Sequence, residues 1–219
     1  MPAPVPAFDE ALARIRRALA ARAPVRLDIP AFRPAAVLVP LLERPGGPTI
    51  LFTRRTETVR HHKGEISFPG GGIEAGEDAV RAALREAEEE IGLLPERVGV
   101  VGVLDDLPSI AGYVVTPVVA AVRDPPEAFR PAALEVSEPF EVPLALLLDP
   151  AIRRASLWDP ARLPAEVKAA VVASRASFEE VDPQTGHWRM WSFDAGPGRT
   201  VWGLTARILA ELVDRAFVG

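Results

Sequence analysis

The chain has no cysteine. That excludes a disulfide framework, a thiol nucleophile and a cysteine metal site. Histidine occurs only three times, too sparsely for a histidine-rich metal centre. No apolar run approaches the ~20 residues that a membrane-spanning helix needs, and the N-terminus carries no hydrophobic signal region. Arginines near the start suggest a transit peptide, but Asp9 and Glu10 argue against one. Also missing is a large basic excess. The formal net charge is −5, so no counterion-release term is there to drive general nucleic-acid binding. The expectation is a cytoplasmic protein that works without nucleic acid or membrane.

What is present suits a globular domain. Of 219 residues, 48% are hydrophobic, enough for a sizeable core and one domain over 1–219. Phe8, Leu12, Ile15 and Leu19 recur at helical spacing and predict an N-terminal amphipathic helix over about 7–22. Val201, Leu204, Ile208, Leu212 and Val213 predict a C-terminal helix over about 200–217, with Thr200 as its N-cap. These two helices suit a homodimer interface equally well as closure of the monomer's own core. Between them, 35–42, 49–54, 98–104, 112–122 and 135–144 read as strands, the first two as a hairpin around Pro45-Gly46-Gly47. Residues 177–181 and 188–193 read as a second hairpin across Asp182–Gly186. The stretch 151–175 carries little signal.

The most informative stretch runs from Gly71 to Leu93. At ~100° per residue, Glu86, Glu89 and Glu90 fall in one narrow arc of a helix, and Val80, Ala83, Leu84, Ala87 and Ile91 fall on a neighbouring arc. Three carboxylates on adjacent turns raise one another's pKa. A hard divalent cation such as Mg²⁺ or Mn²⁺ makes such a cluster favourable. Ahead of the helix, Pro69-Gly70-Gly71-Gly72 gives a backbone that can approach an ion or phosphate closely. Arg85 lies four residues before Glu89 and can orient a ligand carboxylate from behind.

Gly71, Glu77 and the run Arg85-Glu86-Ala87-Glu88-Glu89-Glu90-Ile91-Gly92-Leu93 together resemble the complete Nudix box, with Ala87 where a larger aliphatic is usual. The resemblance implies an α/β (α+β) fold: an α/β/α sandwich with a central mixed sheet and a loop–helix–loop catalytic motif. It also implies a divalent metal, Mg²⁺ or Mn²⁺, on Glu86, Glu89, Glu90 and the Gly70 carbonyl, and hydrolysis of a diphosphate linked to a further group. Arg85 and Gly71 join the site on the same grounds.

Upstream, Arg55, Arg60, His61, His62 and Lys63 form a small basic cluster. Such a cluster beside a metal site suits an anionic substrate, although by itself it reads as well as a solvated loop. Its spacing adds to this. Leu51-Phe52-Thr53, Arg55-Thr56, Arg60, Gly64 and Phe68-Pro69-Gly70-Gly71 are similar to the accessory signature of the coenzyme A pyrophosphatase branch. Phe52 stands where Leu is usual there and Thr56 where Ser is usual. The resemblance implies a coenzyme A-class diphosphate as the small-molecule partner, with Arg55, Arg60, His62 and Lys63 as substrate contacts. Arg55, Arg60 and Lys63 are candidates for holding its remaining phosphate charge.

Family members often place a further carboxylate outside the box. Glu138 and then Glu135 are the candidates here for a general base, each equally readable as the polar face of a strand. Tyr113, the sole tyrosine, reads as a core or strand-face residue, or one that stacks on a substrate base. The box alone does not separate coenzyme A from ADP-ribose, dinucleoside polyphosphates or nucleoside triphosphates. A non-catalytic nucleotide sensor on the same fold is the remaining alternative.

Overall fold

The structure, a computed structural model, describes residues 6–56, 64–159 and 185–218. Helix α1 (Phe8–Ala20) comes first. Strands β1 (Arg33–Leu42), β2 (Thr49–Arg55), β3 (Ile66–Ser67) and β4 (Gly70–Gly72) lead to helix α2 (Ala79–Ile91). Strands β5 (Gly99–Val103), β6 (Leu107–Pro108), β7 (Tyr113–Val122) and β8 (Val136–Pro143) follow, then a short helix α3 (Leu144–Leu147). Strands β9 (Arg153–Trp158), β10 (Trp188–Asp194) and β11 (Thr200–Trp202) precede helix α4 (Gly203–Val213), which runs into a π-helical turn at Asp214–Val218.

The main sheet is mixed. Its path is β3-β2-β1-β7-β5, with β4 on β1, β6 on β7 and β8 on β2. β1 and β7 run parallel; the other pairs are antiparallel. Alternation along the strands sorts side chains between two cores. Ala36, Leu38, Leu51, Val118 and Ala120 pack against Ala82, Ala83, Ala87 and Ile91 of α2. Val39, Phe52, Phe140 and Val142 pack on the other face with Leu12 and Ile15 of α1 and Leu209 and Leu212 of α4. This is the expected α/β/α layering. A second, three-stranded sheet has the order β11-β10-β9.

The expected β1–β2 hairpin forms, but its strands stay paired only near the turn, at Leu41↔Ile50 and Leu42↔Thr49. Beyond that they part, and β4 takes the place beside β1, with Ala35↔Gly72, Ala36↔Gly71 and Val37↔Gly70. The glycines permit this approach: a Cβ on Gly70 would lie 2.3 Å from the Ala36 carbonyl oxygen. The parting of β1 and β2 makes the notch in which the candidate site sits.

Two sequence readings change and one is untested. Thr200 does not cap the last helix; Thr200–Trp202 is β11, paired with Ser192–Asp194, and α4 begins at Gly203 after an extended Trp202. A strand residue that is buried just ahead of a helix, as Val201 is, mimics helical spacing. Strand β9 lies in the stretch that carried little signal, because its side chains are mostly exposed and mixed in character. The first half of the second hairpin, 177–181, lies outside the described residues.

The segment after α1 is held down by two buried carboxylates. Arg22 donates to both oxygens of Asp105, at 2.8 and 2.5 Å, and the Val25 N–H donates to Asp105 Oδ1 at 2.9 Å. Arg26 donates to Asp106 at 2.5 Å, and Thr116 donates to it at 2.7 Å. Asp105→Asn removes a charged acceptor from that clamp. The expected loss is about 2 kcal/mol of unfolding free energy, read by urea denaturation.

Candidate active site

Helix α2 is cut to length by its ends. Asp78 caps the start by accepting the Arg81 N–H at 2.8 Å, and Gly92 closes the end in the left-handed region at φ 67°. Small residues Ala82, Ala83 and Ala87 let the helix lie close on the sheet. The turn that follows them brings Glu90 inward, where it is 4% exposed.

Glu90 Oε2 accepts the Gly70 N–H at 3.2 Å, and Arg55 of β2 stands 3.8 Å from its other oxygen. Burial pushes the Glu90 carboxyl up to about 7; the Gly70 N–H and Arg55 oppose the rise, and Glu86 and Glu135 add to it. Glu86 lies directly over Gly71. A Cβ at that position would be 2.4 Å from Glu86 Oε1. Burial raises the Glu86 carboxyl as well, against the pull of Arg85, and the charges of Glu89 and Glu135 raise it further.

Arg85 ties the rim together. It donates to Glu86 at 2.9 Å, to Glu89 at 3.1 Å, to both oxygens of Glu77 at 3.1 Å, and to the Gly72 carbonyl at 3.0 Å. Glu77 holds the guanidinium charge most strongly, and its own carboxyl is lowered in return. So Glu77, in sequence a position of the box with no role assigned, is the anchor of the arginine.

A model described as the NUDIX domain matches residues 32–170. The chain belongs to the Nudix family. It is similar to an uncharacterized Nudix hydrolase, NudL, of Cronobacter sakazakii, with 36% identity over 82% of this chain and 81% of that protein. The NudL of Escherichia coli K12 is 47% identical over 53% of this chain and 60% of its own length. Among solved structures, the Nudix hydrolase RenU of M. smegmatis aligns at 27% identity and a TM-score of 0.43, over 50% of this chain and 69% of that one.

Outside the Nudix box, the two candidate carboxylates part company. Glu138 sits across from Arg54 on the sheet face away from α2, 2.5 Å from Arg199 and 3.6 Å from Arg54. Glu135, ranked second from sequence, is the one whose charge reaches both Glu86 and Glu90. The reason is a β-bulge. The register runs Arg54↔Glu138 and then Arg55↔Val136, skipping Ser137, whose hydroxyl donates to the Arg54 carbonyl at 3.1 Å. Thr56 then fastens the Glu135 segment, its N–H on the Glu135 carbonyl and its hydroxyl on that of Leu134. Ser137 was not readable as a site-builder, since its type does not signal a bulge, and Thr56 was read only as a position of the upstream signature. Arg60, His62 and Lys63 lie outside the described residues.

Do these residues fit a hard divalent cation? The donors are carboxylate oxygens, the chemistry such ions select. Glu90 is buried and Glu86 partly so, and each is pushed toward the neutral form by desolvation and by neighbouring carboxylates. A cation relieves that excess. Glu89 reaches outward, 60% exposed, and leans on Arg85. Among the described residues, no group of three carboxylates or histidines stands close enough to hold an ion. The fit therefore rests on donor type and charge.

Two outcomes follow. Gly71→Ala pushes a methyl group into the Glu86 carboxylate, the movable end of a side chain; activity falls at least ~100-fold while thermal stability stays near wild type. The second concerns pH. The Glu90 carboxyl lies higher in the folded chain than its ordinary 4.5, so ionising it opposes folding above about pH 7 and has no effect below pH 4.5. Without divalent metal, Glu90→Gln is then more stable than wild type at pH 8, by on the order of 3 kcal/mol, and the gap closes toward pH 4.5. Adding Mg²⁺ at pH 8 raises the melting temperature of wild type more than that of the variant.

Proposed function

We propose that the chain hydrolyses the diphosphate bond of coenzyme A or its derivatives, giving 3′,5′-ADP and 4′-phosphopantetheine or its acylated form. The hydrolase part is carried by one observation: Glu86, Glu90 and Arg55 converge around the Gly70-Gly71 backbone in the notch between β1 and β2, within range of the Glu135 charge. The similarity to proteins named Nudix hydrolase supports it. The coenzyme A part is supported by the spacing from Leu51 to Gly71 and its likeness to that branch.

Glu86, Glu89, Glu90 and the Gly70 carbonyl are the residues to hold Mg²⁺ or Mn²⁺, which when bound neutralises diphosphate oxygens and acidifies a water. Arg85 keeps Glu86 and Glu89 from turning away. Arg55, partly exposed and only loosely paired with Glu90, offers the rest of its guanidinium to a phosphate oxygen. Water oxygen attacks one phosphorus in line, and the bond from that phosphorus to the bridging oxygen breaks. The bridging oxygen leaves with the other phosphate, and Glu135 accepts the water's proton. Glu138, already paired with Arg199 and Arg54, holds two strands together instead.

The test is a substrate panel with products identified by mass: coenzyme A, dephospho-coenzyme A, ADP-ribose and diadenosine polyphosphates, each with Mg²⁺ or Mn²⁺. Release of 3′,5′-ADP and 4′-phosphopantetheine is expected. Glu135→Gln should lose about 10²–10⁴-fold in kcat, and Glu138→Gln should stay within about threefold. Preferred cleavage of ADP-ribose would remove the coenzyme A assignment and keep the hydrolase. No turnover of any member would favour a nucleotide sensor.

A further inference from the structure

Helix α1 and the π-helical turn after α4 form a cleft of about 280 Å³ on the side of the sheet away from α2. Arg14, Arg17 and Arg215 line it, together with Ala18, Ala21 and Ala216. At ~100° per residue, positions 14, 17, 18 and 21 share one stripe of α1, whereas Arg16 lies about 200° from Arg14, across the helix. Phe8, Leu12 and Ile15 are buried and hold the opposite side of α1 on the sheet. The alanines leave the room that the three guanidinium groups line.

The charges around this cleft do not cancel within the protein. Arg215, its side chain 16% exposed, donates to Glu211 at 3.0 Å and to the Ala18 carbonyl at 3.3 Å, and stands 3.8 Å from Asp105. Neither carboxylate lines the cleft. Asp105 is already held by Arg22 through both oxygens. Burial and the Asp105 charge push Glu211 toward its neutral form, against the pull of Arg215. Arg14 pairs with Glu10 at 2.7 Å, an exposed pair within one helix that adds little and is readily given up. Arg17 forms no ion pair among the described residues. Its place in the last turn of α1 suits the helix dipole, yet the Ala18 carbonyl there already has Arg215 as its donor. Of all these charges, only arginines line the cleft.

We propose that this cleft binds a small phosphate-bearing anion, at a site separate from the reaction centre. Planar guanidinium groups match phosphate oxygens in pairs. The volume admits a phosphate or diphosphate group rather than a drug-sized ligand, which takes ~300–1,000 Å³. An anion held there bridges α1 to the turn after α4. Only the folded chain brings these two elements together, so binding stabilises the fold.

The probe is inorganic pyrophosphate, titrated into the full chain labelled with ¹⁵N-arginine, in EDTA and at constant ionic strength. The Nε–H signals of Arg14, Arg16, Arg17 and Arg55 are assigned through their glutamine variants. Pyrophosphate should move the Arg14 and Arg17 signals saturably, with one dissociation constant, and leave Arg16 in place. Arg17→Gln should weaken that binding about tenfold. Ala21→Glu, which adds a carboxylate at an exposed position of the cleft, should abolish it, and the equally bulky Ala21→Gln should keep it within about threefold. Pyrophosphate should raise the melting temperature of wild type more than that of Arg17→Gln. Arg16 and Arg17 signals that drift together without saturation show charge screening alone and overturn the site. Movement confined to Arg55 also overturns it, by assigning the anion to the reaction centre. So does an Arg17→Gln variant that binds as tightly as wild type.

Discussion

Glu90 is a buried carboxylate on a helix face otherwise made of alanine and isoleucine. Taking such a group out of water costs several kcal/mol unless partners compensate it. Much of the surrounding architecture supplies those partners. The Gly70 N–H comes from a strand short enough to slip beside β1, and Arg55 comes from the end of β2. Neither is sufficient, because Glu86 and Glu135 add like charge nearby, and Glu90 stays well above the ordinary carboxylate range. The protein thus holds an electrostatic deficit in place by packing. That deficit is the physical form of a cation preference.

Placing it requires the sheet to be imperfect. Were β1 and β2 paired along their full length, Gly70 could not reach Glu90, and Arg55 would lie in a continuous ladder. The strands part instead, and β4 enters as three glycines. The second irregularity, the bulge at Ser137, shifts the register by one residue at the point where β8 passes Arg55. One parting and one bulge together bring β2, β4, α2 and the loop before β8 to a single notch.

Much of this was legible in the residues. The spacing of Glu86, Glu89 and Glu90, the glycines ahead of them and the apolar arc of α2 each have a direct geometric meaning, and the strands that frame them appear close to where hydrophobic runs put them. What stayed hidden turns on register and context. Glu135 and Glu138 are equivalent in type and differ by which sheet face they meet, which a single bulge decides. Thr200 has the chemistry of a helix cap and is used in a strand because β10 offers it a ladder. Glu77 was legible as a position of the box but not as an ion-pair partner, since Arg85 lies eight residues away across the start of a helix.

The parallel pairing of β1 with β7 has a kinetic side. Arg33 meets Tyr113 about eighty residues later in the chain, and the ladder continues through Leu42 and Val122. The whole α2 motif lies inside the loop which that pairing closes. Closing so long a loop carries an entropic penalty before any contact rewards it. Helix α2 carries its caps locally, at Asp78 and Gly92, but thirteen residues need the sheet to hold a stable helix. Its carboxylates acquire their burial only when the distant strand arrives. The meeting of Glu90 and Glu86 with Gly70 and Gly71 therefore depends on closing that loop, and without it the acidic segment stays open to water.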